Sequence, residues 1–149
     1  MSNEVTKRAK RMARLYRISD AIAKASEGEL RDRQAALDVE NERLQSVKTY
    51  RHEYSSQAVV REQKSIQMRE LSQGREFAVW LMSVESNQLA AVDRCAFITE
   101  AARESAIQAR RFAHGLELIA EKRQSAVLKY KNKQEQDQID SIRPLKTPQ

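Results

Sequence analysis

Tyr50, Tyr54 and Phe77 are three of the chain's eight Phe, Tyr and Trp residues, and Trp80 stands three places further on. Rings gathered in this way bury large apolar areas against a partner and carry polar edges that fix its orientation. A second group is cationic: Lys7, Arg8, Lys10, Arg11, Arg14 and Arg17 face Glu4 alone near the start, and Lys122, Arg123, Lys129, Lys131 and Lys133 lie towards the other end. These are residues of recognition. Residues of catalysis are scarce. His52 and His114 are isolated, and no Cys or carboxylate near them has metal-ligand spacing. Gly28, Gly74 and Gly115 stand alone, so no phosphate-cradling loop is present, and Cys95 reads as a small packing residue. The chain is expected to be no enzyme, with no cofactor, no metal and no small-molecule substrate.

The elements that must hold these residues are long helices. Charged residues make up 32% and aromatics 5% of 149 residues, and the three Gly and two Pro leave room for one or two reversals. No run reaches the roughly 18–20 apolar residues that cross a bilayer. The basic start lacks a following apolar stretch and is not a secretory signal. A lone Cys suits a reducing compartment, so the expected place is the cytoplasm.

From Phe77 to Tyr130, steps of alternating four and three residues pass through Phe77, Leu81, Val84, Gln88, Ala91, Cys95, Ile98, Ala102, Ser105, Ala109, Phe112, Leu116, Ile119, Arg123, Ala126 and Tyr130. A 3.5-residue repeat held this long marks a helix lying along a partner helix. The earlier part has a stripe of Leu15, Ile18, Ile22 and Ala25 that shifts phase into Leu30, Leu37, Leu44 and Val47, ending at Tyr50 and Tyr54, with polar Arg33 and Glu40 between. Phase is lost between Ser55 and Gly74, where the chain is expected to reverse.

These patterns predict an all-α fold: a single coiled-coil domain over 1–149, built as an antiparallel hairpin. Its first helix covers about 9–57, an irregular or short-helical connection 58–73, the second helix about 75–136, and a ragged tail 137–149. Setting Tyr54 opposite Phe77 brings Tyr50 to Leu81, Val47 to Val84, Ile22 to Ala109 and Leu15 to Leu116. Apolar then meets apolar or small along most of the first helix. The two termini share one end, where residues 1–17 carry +5 and residues 122–149 carry +4. Lys122 and beyond should overhang the first helix, with Arg123 marking where the hairpin's own core stops.

Two other architectures remain open. A basic stretch before Leu30, Leu37 and Leu44 suggests a basic zipper that grips nucleic acid, although the leucine row fails at Arg51 and Arg17 lies thirteen residues from Leu30. The same seams could also pair between copies in a homo-oligomeric scaffold.

The segment Leu44-Gln45-Ser46-Val47-Lys48-Thr49-Tyr50-Arg51-His52-Glu53-Tyr54, then a break, then Phe77 with Leu81 four residues on, resembles the FliJ family of the flagellar type III protein export apparatus. The run Leu116-Glu117-Leu118-Ile119-Ala120-Glu121-Lys122-Arg123, with Asp137 and Asp140 beyond, fits the same family, with stalk proteins of virulence-type secretion systems as near relatives. The resemblance implies a stalk-like antiparallel coiled coil that serves flagellum biogenesis, motility and chemotaxis. Its implied partners are the hexameric export ATPase, the cytoplasmic domain of the export gate, and export chaperones. It also implies a cytoplasmic chain peripherally associated with the inner membrane. By position, Arg43, Val47, Tyr50, Tyr54, Phe77, Leu81, Val84 and Gln88 would contact the gate, and the basic tip from Lys7 to Arg17 with Lys122 to Lys133 would face the ATPase.

Overall fold

The computed structural model describes residues 2–62 and 67–142, and every one of these except Gln67 is helical. Helix α1 spans Ser2–Glu62 and helix α2 spans Met68–Ile142; the two pack against each other as a helical hairpin. Both helices outrun the boundaries expected from sequence. α1 begins seven residues before 9 and ends five after 57, and α2 takes in much of the expected connection and six residues of the expected tail. Segments 58–62 and 68–73 contain no Pro or Gly, so nothing local stops a helix that packing has already nucleated. The reversal itself and the tail from 143 onward lie outside the described residues.

Gln67 starts α2. Its carbonyl accepts bonds from the backbone N–H groups of Glu70 (3.0 Å) and Leu71 (3.2 Å). The Glu70 carboxylate sits in that first turn, where the helix dipole favours negative charge.

Contacts divide the chain into two compact units, one of Met1–Ser26 with Ser105–Gln149 and the other of Glu27–Glu104. The expected register holds inside each, although Leu15 and Ile22 are not the side chains that meet α2. In the first unit Arg110 reaches Asp20; in the second Thr99 reaches the Arg33 carbonyl, Gln88 reaches Glu40, and Tyr54 packs on Phe77.

The seam differs in detail from the expectation. In α1 the covered residues follow an unbroken heptad row, Ala9, Tyr16, Ala23, Leu30, Leu37 and Leu44, so the phase shift between Ile22 and Leu30 does not exist. Leu15, Ile18, Ile22 and Ala25, expected to face the partner, are exposed. In α2 the expected seam holds to Cys95. Beyond it Ala102, Ala109 and Leu116 stay covered, but Thr99, Ala106, Ala113, Ala120 and Val127 replace Ile98, Ser105, Phe112, Ile119 and Ala126. At the alanine positions the physical reason is size. Ala9, Ala23, Ala106 and Ala113 are nearly or wholly buried, and small side chains let two backbones approach closely and pack densely. Thr99 is buried without penalty because its hydroxyl lies 2.7 Å from the Cys95 carbonyl and 3.2 Å from that of Arg33.

Arg123 does not end the core either. Val127 is buried and Tyr130 half-buried, while every residue from 131 to 142 is exposed. With α1 starting at Ser2, cover reaches further along α2 than the expected limit at Lys122.

Two glycines lie inside helices without needing to be glycine. A Cβ on Gly28 would have Arg31 Nη2 at 3.8 Å as its nearest neighbour, and one on Gly115 would meet nothing within 4 Å. Gly28→Ala and Gly115→Ala should each raise stability by about 1 kcal/mol, seen as a higher urea midpoint at unchanged slope.

Candidate functional site

The unit Glu27–Glu104 assembles the aromatic residues. Phe77 is the hub: its ring lies 4.7 Å from Tyr54 and 6.5 Å from Tyr50, both edge-on, and 5.5 Å from Trp80 in a stacked arrangement. Such pairs contribute roughly 0.5–1.5 kcal/mol each beyond the area they bury. The Tyr54 hydroxyl donates to the Gly74 carbonyl at 3.3 Å, which ties the end of α1 to the first turns of α2. A two-helix layer cannot cover four rings. Tyr50 and Trp80 remain 52% and 57% exposed.

The residues assigned by resemblance occupy different depths around this cluster. Leu81 is only 3% exposed, so it supports the cluster from beneath instead of presenting itself to a partner. Val47, Tyr54, Phe77 and Val84 are half-covered. Arg43 and Gln88 belong to one polar network centred on Glu40. Gln88 Nε2 donates to the Glu40 carboxylate at 2.6 Å and to its carbonyl at 3.0 Å, and Arg43 Nη1 lies 2.9 Å from the other carboxylate oxygen. A further cross-helix ion pair joins Arg51 Nε to Glu85 at 2.9 Å. Charge and amide groups thus border the aromatic surface on its α1 side and along α2.

The residues matched by resemblance leave out two participants. Trp80 falls outside the residues matched by resemblance, yet it stacks directly on Phe77; its i, i+3 spacing is the available signal. Glu40 reads as a polar break in the seam, whereas it is the acceptor that joins Arg43 to Gln88. Beyond the rings an open cleft of ≈ 820 Å³ runs between Tyr54, Ala58 and Arg61 on α1 and Glu70, Leu71 and Gly74 on α2.

The basic residues Lys7, Arg8, Lys10, Arg11, Arg14 and Arg17 and the group Lys122, Arg123, Lys129, Lys131 and Lys133 are all exposed, and all belong to the unit Met1–Ser26 with Ser105–Gln149. That unit holds sixteen Lys and Arg against seven Asp and Glu. One of its acids is committed internally. The Arg110 guanidinium, 2.8 Å from Asp20, and then Lys24 at 3.0 Å hold the Asp20 carboxyl below its usual range.

The histidines keep apart. His114 Nδ1 lies 3.3 Å from Glu117 on its own helix, and His52 is exposed on α1. Among the described residues no group of three metal-ligating side chains comes together, and no helix is long and apolar enough to cross a membrane. What the surface offers is contact, through rings at one unit and cations at the other. Comparison of the chain with protein-family models, curated proteins and solved structures finds no match.

Proposed function

We propose that this chain is a non-enzymatic coupling protein of a flagellar type III export apparatus, one that joins the export ATPase ring to the export gate. The observation that carries the reading is the ring cluster on Phe77. Three of its four rings, Tyr50, Tyr54 and Phe77, are those of the resemblance, and the exposed faces of Tyr50 and Trp80 offer an apolar surface with polar edges suited to a protein partner. The gate's cytoplasmic domain would dock there. The cationic residues of the other unit would meet the ATPase, with export chaperones as further partners. The chain would work in the cytoplasm and reach the inner membrane only through these proteins.

The test is the affinity of the purified chain for the cytoplasmic domain of the export gate. Tyr50→Ala with Phe77→Ala should weaken it by tenfold or more while circular dichroism still reports the helices. An unchanged dissociation constant sinks the docking surface. The exposed cations favour one rival, a coiled-coil protein that binds nucleic acid. A gel shift with duplex DNA at physiological salt separates the two, because tight binding there belongs to the rival alone.

A further inference from the structure

The displaced seam leaves a face uncovered. Within the unit Met1–Ser26 and Ser105–Gln149, Leu15, Ile18 and Ile22 of α1 and Phe112 and Ile119 of α2 are exposed, Phe112 by 66%. Leu15 and Ile22 each precede a covered residue, Tyr16 and Ala23, and so do Phe112 and Ile119, before Ala113 and Ala120. One residue turns a helix by about 100°. Antiparallel helices turn in opposite senses when viewed along one axis, so a one-residue step back leads both to the same side of the pair. The ion pair of Asp20 with Arg110 supports this placement, since both residues fall on the opposite flank.

The two sides therefore differ in charge. One carries Arg17, Asp20, Lys24, Arg110 and Glu117 beside Ile107 and Leu128; the other carries Leu15, Ile18, Ile22, Phe112 and Ile119 with no charged residue among them. An apolar stripe wider than a two-helix seam is what a helix shows when it packs against more than one neighbour. The five residues leave on the order of 500 Å² of apolar surface open. That is within the range of the largest patches on monomers and short of the roughly 800 Å² per partner of a standard interface. An occupant must therefore engage the rim too. The rim is mainly basic: Arg8 and Arg11 continue the α1 side, with Glu4 3.9 Å from Arg8, and Lys122 and Lys129 flank the α2 side. A second copy would bring the same cations against these.

We propose that this face is the docking site for an acidic amphipathic helix of another protein, which would lie along both helices as a third. Its apolar stripe would cover Ile22 and Phe112, and its Asp and Glu would meet Arg11 and Lys122. About 18–20 residues, near 30 Å, suffice to run the length of the face. The site is separate from the ring cluster, and it does not rest on the export reading.

A fluorescein-labelled synthetic helix, with Leu at a and d positions and Glu at the flanking ones, tests this by anisotropy; the same peptide with Lys for Glu is the control. The acidic peptide should bind saturably and the Lys peptide at least tenfold more weakly. Ile22→Ser with Phe112→Ser should reduce acidic-peptide binding by about tenfold or more. Both side chains are more than half exposed, so circular dichroism should be unchanged. Arg11→Glu with Lys122→Glu should reverse the peptide preference. No binding, equal binding of the two peptides, or undiminished binding by the serine variant would overturn the proposal. So would a wild-type dimer in sedimentation that the serine variant turns into monomer, because a second copy would then be the occupant.

Discussion

Leu81→Ala is expected to lower stability by about 2–3 kcal/mol, the largest loss for a single truncation in the hairpin. Leu81, Leu44 and Val127 are the only large apolar side chains buried among the described residues, and Leu81 is the most fully covered of the three. A two-helix layer closes a cavity more readily than a deep core does, which keeps the value near the lower end of the usual range of about 2–5 kcal/mol. Trp80→Ala, one position earlier, removes a ring that is more than half exposed and should cost less than about 1 kcal/mol. The contrast separates support from contact. Under the proposed function, Leu81→Ala shifts the urea midpoint, whereas Trp80→Ala leaves the midpoint close to wild type and weakens gate binding. Equal midpoint shifts for the two variants would mean that the ring cluster is core and not a partner surface.

Under the proposed function, reversing Arg11, Arg14 and Arg17 to Glu should have the largest effect on association with the ATPase. The change converts a unit with sixteen cations and seven acids into one with thirteen and ten. All three residues are exposed, so the reversal should leave the fold intact and, under that reading, act on attraction to the partner's surface. Affinity should fall by roughly tenfold or more near 0.1 M salt, and the wild-type weakening with added salt should largely disappear, since screening acts on charges about 10 Å apart. The comparison is read from titrations at two salt concentrations. Equal salt dependence in variant and wild type would reduce the basic residues to a solvated face.

The sequence alone determined that the chain is a pair of long helices and how they slide past each other. Heptad spacing is a local property of a helix, and sparse Gly and Pro leave few other folds to consider. The pairing of Tyr54 with Phe77 followed, because that register sets Tyr50 against Leu81 and Val47 against Val84. The aromatic site, Trp80 included, is therefore legible from residue spacing, apart from the Glu40 network. The weight of that network depends on which way the Glu40, Arg43 and Gln88 side chains point, and spacing leaves that direction open.

Tertiary structure decided which of two adjacent rows is buried. At Tyr16 and Leu15, at Ala23 and Ile22, and at Ala113 and Phe112, a pattern of apolar residues permits either member of the pair to face the partner helix. Hydrophobicity favours the larger one. Close approach of two backbones favours the smaller at Ala23 and Ala113, and close approach can be judged only when both helices are in place. The larger residues, Ile22 and Phe112, are then left on one side of the hairpin. That apolar face is open because the two backbones close on small side chains, Ala23 and Ala113.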